Sequence, residues 1–441
     1  MLGLSGVDSR RSREQVGSVW IVVIRRRPEF AAAIGNTVEW FDFAIFGYFS
    51  RAIGSQFFPV GSASLQLLGA FSVFAVGYLM RPIGSLLLGP IGDRIGRRAL
   101  LQVSVSMMTL CSIGMAVLPP TAQWGNAAAW TLVGLRMLQG LSVGGEFPGS
   151  VVALVEQAPP ARRGLYGSFT PAGASLGFVG GSLVAALVNL LLSPAAVAQW
   201  GWRLAFALGA VLGVWALALR WRSAEQTYRQ GVSATVGEHI KGLLFSVPAM
   251  FRLMGAVSLS SVCLYTVTVF VVEALSERYP QLASQYLLMT TLNQAAGFAA
   301  VLFGGYLADR CNALALARRV NLAIAALVLP ALLLISTGHV FAFFLGQFIL
   351  LMPVTLCHGI YPSLLAFWFP EDIRCSSFSF SYSLIVALLG GTAPLVATWL
   401  LQAFRLDYAP ALYCLLWVPP ALWALHRFEA VDGNRRPDTV S

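Results

Sequence analysis

The chain has 441 residues, of which 57% are hydrophobic and only 11% charged, with a mean hydropathy of +0.73. Soluble domains carry about a quarter charged residues, so this composition excludes them and indicates an integral membrane protein. The net charge of +10 does not indicate a nucleic-acid partner, because the arginines gather in short segments between apolar runs, as topogenic charges do.

Residues 1–28 read as a cytoplasmic tail. The apolar patch at 20–24 precedes Arg25, Arg26, Arg27 and Pro28, the reverse of the order in a cleavable leader. A spanning helix needs about 20 mostly apolar residues. Twelve are expected, at 29–50, 65–88, 99–118, 128–153, 164–192, 201–221, 251–274, 284–307, 318–336, 339–366, 375–401 and 408–427. The first six form one bundle (29–221), 222–250 a cytoplasmic linker, the last six a second bundle (251–427), and 428–441 a short tail. One set of loops carries nearly all the arginines, whereas the other holds only Arg51, Arg278 and Arg405. The positive-inside rule therefore places both termini in the cytoplasm, in agreement with an even span count.

The charged turn Gly89-Pro90-Ile91-Gly92-Asp93-Arg94-Ile95-Gly96-Arg97-Arg98 lies between spans 2 and 3. Its Gly-x-x-x-Asp-Arg spacing returns 216 residues later at Gly305, Asp309 and Arg310, and Arg374 follows span 10 as Arg163 follows span 4, at an offset of 211. Two agreeing offsets indicate a six-plus-six repeat, the organisation of secondary transporters. Asp93, Arg94, Arg97, Arg98, Glu146, Arg163, Asp309, Arg310 and Arg374, with Gly89, are expected at a cytoplasmic gate of ion pairs.

Charges inside a span are costly and default to function. In span 1, Glu39 and Asp42 are three apart, hence on one helix face, and lie deep in the membrane. One of them is expected to carry a coupling proton; the competing reading is a fixed pair with an arginine. In span 4, Arg136 is expected to hold a substrate carboxylate, beside Gln139 and Asn36, or else to pair with Glu39 or Asp42. The glycines around Arg136 suit close helix approach. Asn293, Gln294, Gln347, His358 and Tyr382 are candidate cavity lining. Pro171 and Pro394 are expected to kink spans 5 and 11. The six cysteines show no paired spacing, so neither a metal site nor a disulfide framework is expected.

Gly89, Gly92-Asp93-Arg94, Gly96 and Arg97-Arg98 resemble the loop 2–3 signature of the major facilitator superfamily. Within it the chain is similar to the metabolite–proton symporter family, through Gly35-Asn36, Glu39-Trp40-Phe41-Asp42-Phe43, Phe57-Phe58-Pro59, Arg81-Pro82-Ile83-Gly84, Gln139-Gly140, Gly144-Gly145-Glu146, Arg163-Gly164, Trp200-Gly201-Trp202-Arg203, Phe369-Pro370 and Arg374. These pieces run from span 1 to span 11. The resemblance implies proton-coupled uptake of organic acids or zwitterions such as citrate, 2-oxoglutarate, shikimate, dicarboxylates, proline and betaine. Departures are the 311–317 stretch before Arg318-Arg319, a tail without heptads, which disfavours an osmolyte sensor, and a span 5 without the Gly-Pro of drug antiporters.

The expectation is therefore an all-α, twelve-helix proton symporter in the bacterial cytoplasmic membrane, importing a small carboxylate-bearing metabolite. It needs no cofactor beyond the proton gradient and no nucleic acid, and it is expected to work as a monomer in the bilayer. The alternatives are an uncoupled facilitator or exporter of the same fold, or a receptor that no longer transports. No nucleophile–base pair supports an enzyme.

Overall fold

The computed structural model describes residues 28–95, 97–222, 246–406 and 408–432, with backbone alone for 28–32, 88–101, 219–222, 372 and 427–432. The described elements are helical. The first half comprises α1 (Pro28–Tyr48), α2 (Ser50–Phe57), α3 (Ala63–Ile95), α4 (Arg97–Val117), α5 (Asn126–Val143), α6 (Glu146–Gln157), α7 (Arg163–Leu191) and α8 (Trp202–Arg222). The second comprises α9 (Val247–Tyr265), α10 (Val271–Arg278), α11 (Ala283–Arg310), α12 (Ala313–Ser336), α13 (Val340–Leu365), α14 (Arg374–Ile385), α15 (Ala393–Phe404), α16 (Ala409–Leu416) and α17 (Val418–Asp432). The 1–27 part of the expected tail, residues 223–245 of the expected linker and residues 433–441 lie outside the described residues.

Among the described residues, nine stretches are long and apolar enough to cross a membrane. The other three expected spans are α1, whose apolar run is interrupted by Asn36, Glu39 and Asp42; α4, apolar over Gln102–Val117; and α5–α6, broken at Gly144-Gly145. The surface carries large apolar side chains in the open, with Trp130 and Phe341 each 74% exposed. That surface is suited to hydrocarbon and not to water.

Several expected spans are not single regular helices. Span 4 divides at its paired glycines, where loss of side-chain packing weakens a helix interior. Spans 7 and 11 contain wide turns at Thr266–Phe270 and Val386–Gly390, a distortion frequent at functional sites. Pro394 falls just after the second of these, whereas Pro171 lies inside α7. The 311–317 stretch interrupts less than expected. The break is Cys311-Asn312 alone, and the Asn312 side chain accepts from the Ala315 N–H at 3.0 Å to start α12 early.

Helix α7 is the seam of the molecule. It packs on α1 in its own half and on α11 in the other. Thr37 Oγ1 donates to the Gly173 carbonyl at 3.0 Å, tying α1 to α7. Close approach also joins α3 and α5, where a Cβ at Gly140 would strike the Gly77 carbonyl oxygen. Small residues at such crossings replace the hydrophobic drive that lipid does not supply.

Candidate substrate and coupling site

Among the described residues of the first half, four buried charges stand out: Glu39 and Asp42 on α1, Arg81 on α3 and Arg136 on α5. A buried charge is tolerated only with a partner, and each finds one. Arg81 Nη2 donates to Glu39 Oε1 in a buried ion pair. Its guanidinium also lies over the rings of Trp40 (4.8 Å), Phe43 (4.9 Å) and Tyr78 (5.2 Å). Asp42 Oδ2 accepts from Ser112 Oγ, which also accepts from Gln139 Nε2 at 3.3 Å. Arg136 Nη1 donates to Gln139 Oε1 at 2.8 Å, and its guanidinium lies 4.5 Å from the Phe43 ring and 4.3 Å from that of Phe46. Phe43 is thus flanked by both guanidiniums.

The network is incompletely satisfied. Arg136 Nε and Nη2, Glu39 Oε2 and Asp42 Oδ1 make no hydrogen bond to protein. Glu39, Asp42 and Glu146 line one small cavity bounded by Gly35, Ser104 and Gly209.

A second cavity lies between the halves. Trp40, Phe147 and Phe178 face it from one side; Tyr265, Gln294, His358 and Tyr382 face it from the other. Its walls contain no Asp, Glu, Lys or Arg. Phe147 stacks on Tyr382 with centroids 5.0 Å apart, and the Tyr265 hydroxyl donates to that of Tyr78 at 3.1 Å. The Ser383 hydroxyl donates to the Gly144 carbonyl at 2.7 Å, so the break between α5 and α6 is held by the opposite half. The cavity measures about 30 Å³, room for a water or two. A solute the size of an amino acid enters only when the halves part.

The halves meet at both ends. At the end where α7 begins, the Asp309 carboxylate accepts from the Gly164 N–H at 2.6 Å and the Leu165 N–H at 2.9 Å. Gly164 is required there, because a Cβ would collide with the Gly305 carbonyl. Arg374 pairs with Glu156 at 2.7 Å, and Phe367 lies between the guanidiniums of Arg163 (4.6 Å) and Arg374 (4.8 Å). At the opposite end Arg51 Nη1 donates to the Ser276 carbonyl at 2.5 Å, Ser64 Oγ to Glu277 Oε1 at 3.3 Å, and Gln402 Nε2 to the Ser64 carbonyl at 3.0 Å.

Of the residues singled out in the sequence, Arg163, Asp309 and Arg374 come together at one such end, and Arg310 stacks on Tyr306 of its own helix at 4.6 Å. Gly89, Asp93 and Arg94 belong to the backbone of α3, and Arg97 and Arg98 to the first turn of α4; their side chains lie outside the described residues. Glu146, expected to face that turn, opens α6 and lines the cavity of the carboxylate pair. Arg136 and Gln139 bond to each other, and Asn36 is buried, but none of the three lines the cavity between the halves. Gln294, His358 and Tyr382 do line it. Asn293 and Gln347 do not: Asn293 Nδ2 donates to Gln347 Oε1 at 2.9 Å, and Gln347 Nε2 to the Val267 carbonyl at 2.7 Å, which braces the wide turn of span 7.

Sequence reasoning missed Arg81 as a site residue, and Ser112, Glu156 and Phe367 altogether. For Arg81 the signal was present, since a charge inside the 65–88 run meets the criterion that selected Glu39. The other three have uncharged or surface-like contexts that mark nothing.

Two helical halves that enclose a small cavity and touch at both ends form the architecture of an alternating-access membrane transporter. Comparison with known proteins agrees. Residues 29–226 match the family model described as sugar (and other) transporter. The chain is 31% identical to the ectoine/proline transporter of Corynebacterium glutamicum, over 87% of this chain and 79% of that one. It is 30% identical to the glycine betaine/proline/ectoine/pipecolic acid transporter of Dickeya dadantii, over 89% and 80%. Its fold matches the xylose transporter of E. coli in a partially occluded inward-open conformation, with a TM-score of 0.71 at 15% identity, covering 93% and 97% of the two chains.

The chain belongs to the metabolite–proton symporter family of the major facilitator superfamily. It is a multi-pass transporter of the bacterial inner membrane and not an enzyme.

Proposed function

We propose that the protein takes up a small zwitterion of the proline or betaine type with one or more protons, by alternating access. The observation that carries this reading is the cavity between the halves, walled by the rings of Trp40, Phe147, Phe178, Tyr265 and Tyr382 and lined by no Asp, Glu, Lys or Arg. Ring faces attract quaternary ammonium and other soft cations, and the absence of net wall charge suits a solute that is itself neutral overall. A dicarboxylate or citrate would meet no charge there. The zwitterion transporters among the relatives support the same choice, which narrows the organic-acid expectation.

In this reading the protein has twelve spans with both termini cytoplasmic and works as a monomer. It draws on the proton gradient and requires no cofactor. Glu39 or Asp42 carries the proton, with Arg136 and Gln139 holding Asp42 through Ser112. Asp309, Arg163 and Arg374 close the cytoplasmic side, with the 89–98 turn acting beside them. The test is competition in reconstituted vesicles. Unlabelled betaine or proline should suppress uptake of labelled proline, and citrate or 2-oxoglutarate should not; suppression by the acids and not by betaine would overturn the choice.

A further inference from the structure

We propose that Arg81, and not Arg136, is the cation that receives the carboxylate of the transported solute, and that Glu39 is the group it exchanges for that carboxylate. The inference rests on the zwitterion reading above and assigns a residue to it.

The guanidinium of Arg81 stands behind the wall of the central cavity. Trp40, which lines that cavity, is 4.8 Å from it. It also lies 5.2 Å from the ring of Tyr78, whose hydroxyl accepts at 3.1 Å from that of Tyr265, a cavity residue contributed by the opposite half. Arg136 is one layer further in, between Phe43 and Phe46, and does not reach the cavity wall. Arg81 therefore lies where a long side chain can swing past one ring and meet a solute. Its Nε makes no hydrogen bond, and neither does Glu39 Oε2, so one ion pair holds the closed arrangement.

Charge balance makes the exchange conditional. If Glu39 gains a proton with the cavity empty, Arg81 is left as an unpaired buried charge. If a carboxylate enters while Glu39 is ionised, two anions compete for one guanidinium. Either event alone is costly, several kcal/mol for an unpaired buried ion, whereas both together leave one neutral acid and one satisfied pair. Proton and solute then favour each other's binding by the same factor, as linkage requires. The solute's cationic end is left to the rings of Trp40, Tyr265 and Tyr382.

Charged and titratable groups around this pair are Asp42 on α1, Tyr78 on α3, Arg136 on α5 and Glu146 on α6, with Tyr265 on α9, His358 on α13 and Tyr382 on α14 across the cavity. Asp42 is held by Ser112, whereas Glu39 is held by Arg81.

The experiment measures binding to the purified full-length protein in detergent, with betaine as carboxylate-bearing probe and choline as the same cation without a carboxylate. Proton uptake on binding is read in weak buffer. Because Arg81→Gln alone strands Glu39, the decisive variant is the charge-balanced Arg81→Gln/Glu39→Gln, checked for wild-type melting. It should bind betaine at least 30-fold more weakly, the low end for loss of a buried charged partner, with choline affinity unchanged. Glu39→Gln alone should bind betaine more tightly and without proton uptake. Wild-type betaine affinity in the double variant, or undiminished proton uptake in Glu39→Gln, would overturn the assignment while leaving zwitterion transport standing. Absence of betaine and proline binding in the wild type would overturn both.

Discussion

Asp309→Asn is the most informative single change at the seam. The two carboxylate oxygens accept from successive N–H groups at the start of α7, and those donors belong to the opposite half. The contact is a helix N-terminus capped in trans by an anion. A hydrogen bond to a charged acceptor contributes about 1.5–3 kcal/mol against 0.5–1.5 for a neutral one, and the helix dipole adds 0.3–1. Asparagine keeps one acceptor and turns the other into a donor facing a donor. With the exposed N–H groups regaining water on opening, the net loss is about 1.5–2 kcal/mol, a shift of about 10- to 30-fold toward the state open at this end. The assay is alkylation of a cysteine at Ser175, which lines the central cavity. Exposed Cys311 and Cys375 are replaced by serine, and an impermeant reagent is applied from the side where α7 begins. The rate should rise by about that factor. An unchanged rate in a protein of unchanged melting temperature would refute the seam as a gate.

Four further outcomes are expected. Phe367→Ala removes the ring between Arg163 and Arg374 and should raise the same labelling rate a few-fold, since such contacts contribute about 0.5–2 kcal/mol. Gly140→Val forces a side chain into the Gly77 carbonyl and should destabilise the protein by about 1–3 kcal/mol, read as a lowered melting temperature in detergent. Tyr382→Ala should weaken betaine binding by about 3- to 30-fold, the range of one cation–ring contact, in an equilibrium binding assay. Glu39→Gln should abolish gradient-driven accumulation while leaving counterflow exchange, since the proton then has no site beside Arg81.

The helices were legible because runs of about 20 apolar residues separated by arginines admit one reading, and each expected span begins or ends within four residues of a described helix boundary. The irregularities were not. The wide turns at Thr266–Phe270 and Val386–Gly390 leave no local pattern, and the first is braced from another helix, by Gln347 to the Val267 carbonyl. The break at Gly144-Gly145 was visible as two glycines, but close packing and helix interruption have the same signature. Asp309 stood out by its repeat, yet its partners are backbone N–H groups, which carry no residue identity. Arg81 lies inside the expected 65–88 span as Arg136 lies inside 128–153, but its pairing with Glu39 is a contact between two helices that only the fold shows.

The most direct measurement of the central claim is simultaneous solute and proton flux in proteoliposomes holding the full-length protein, with a pH dye inside and labelled proline or betaine outside. Proline or betaine should accumulate above its external concentration only when the outside is acidic, and solute addition without an imposed gradient should acidify the lumen. Equilibration to equal concentrations regardless of the gradient, with no lumenal acidification, would contradict proton coupling and reduce the buried charges of the first half to a structural role.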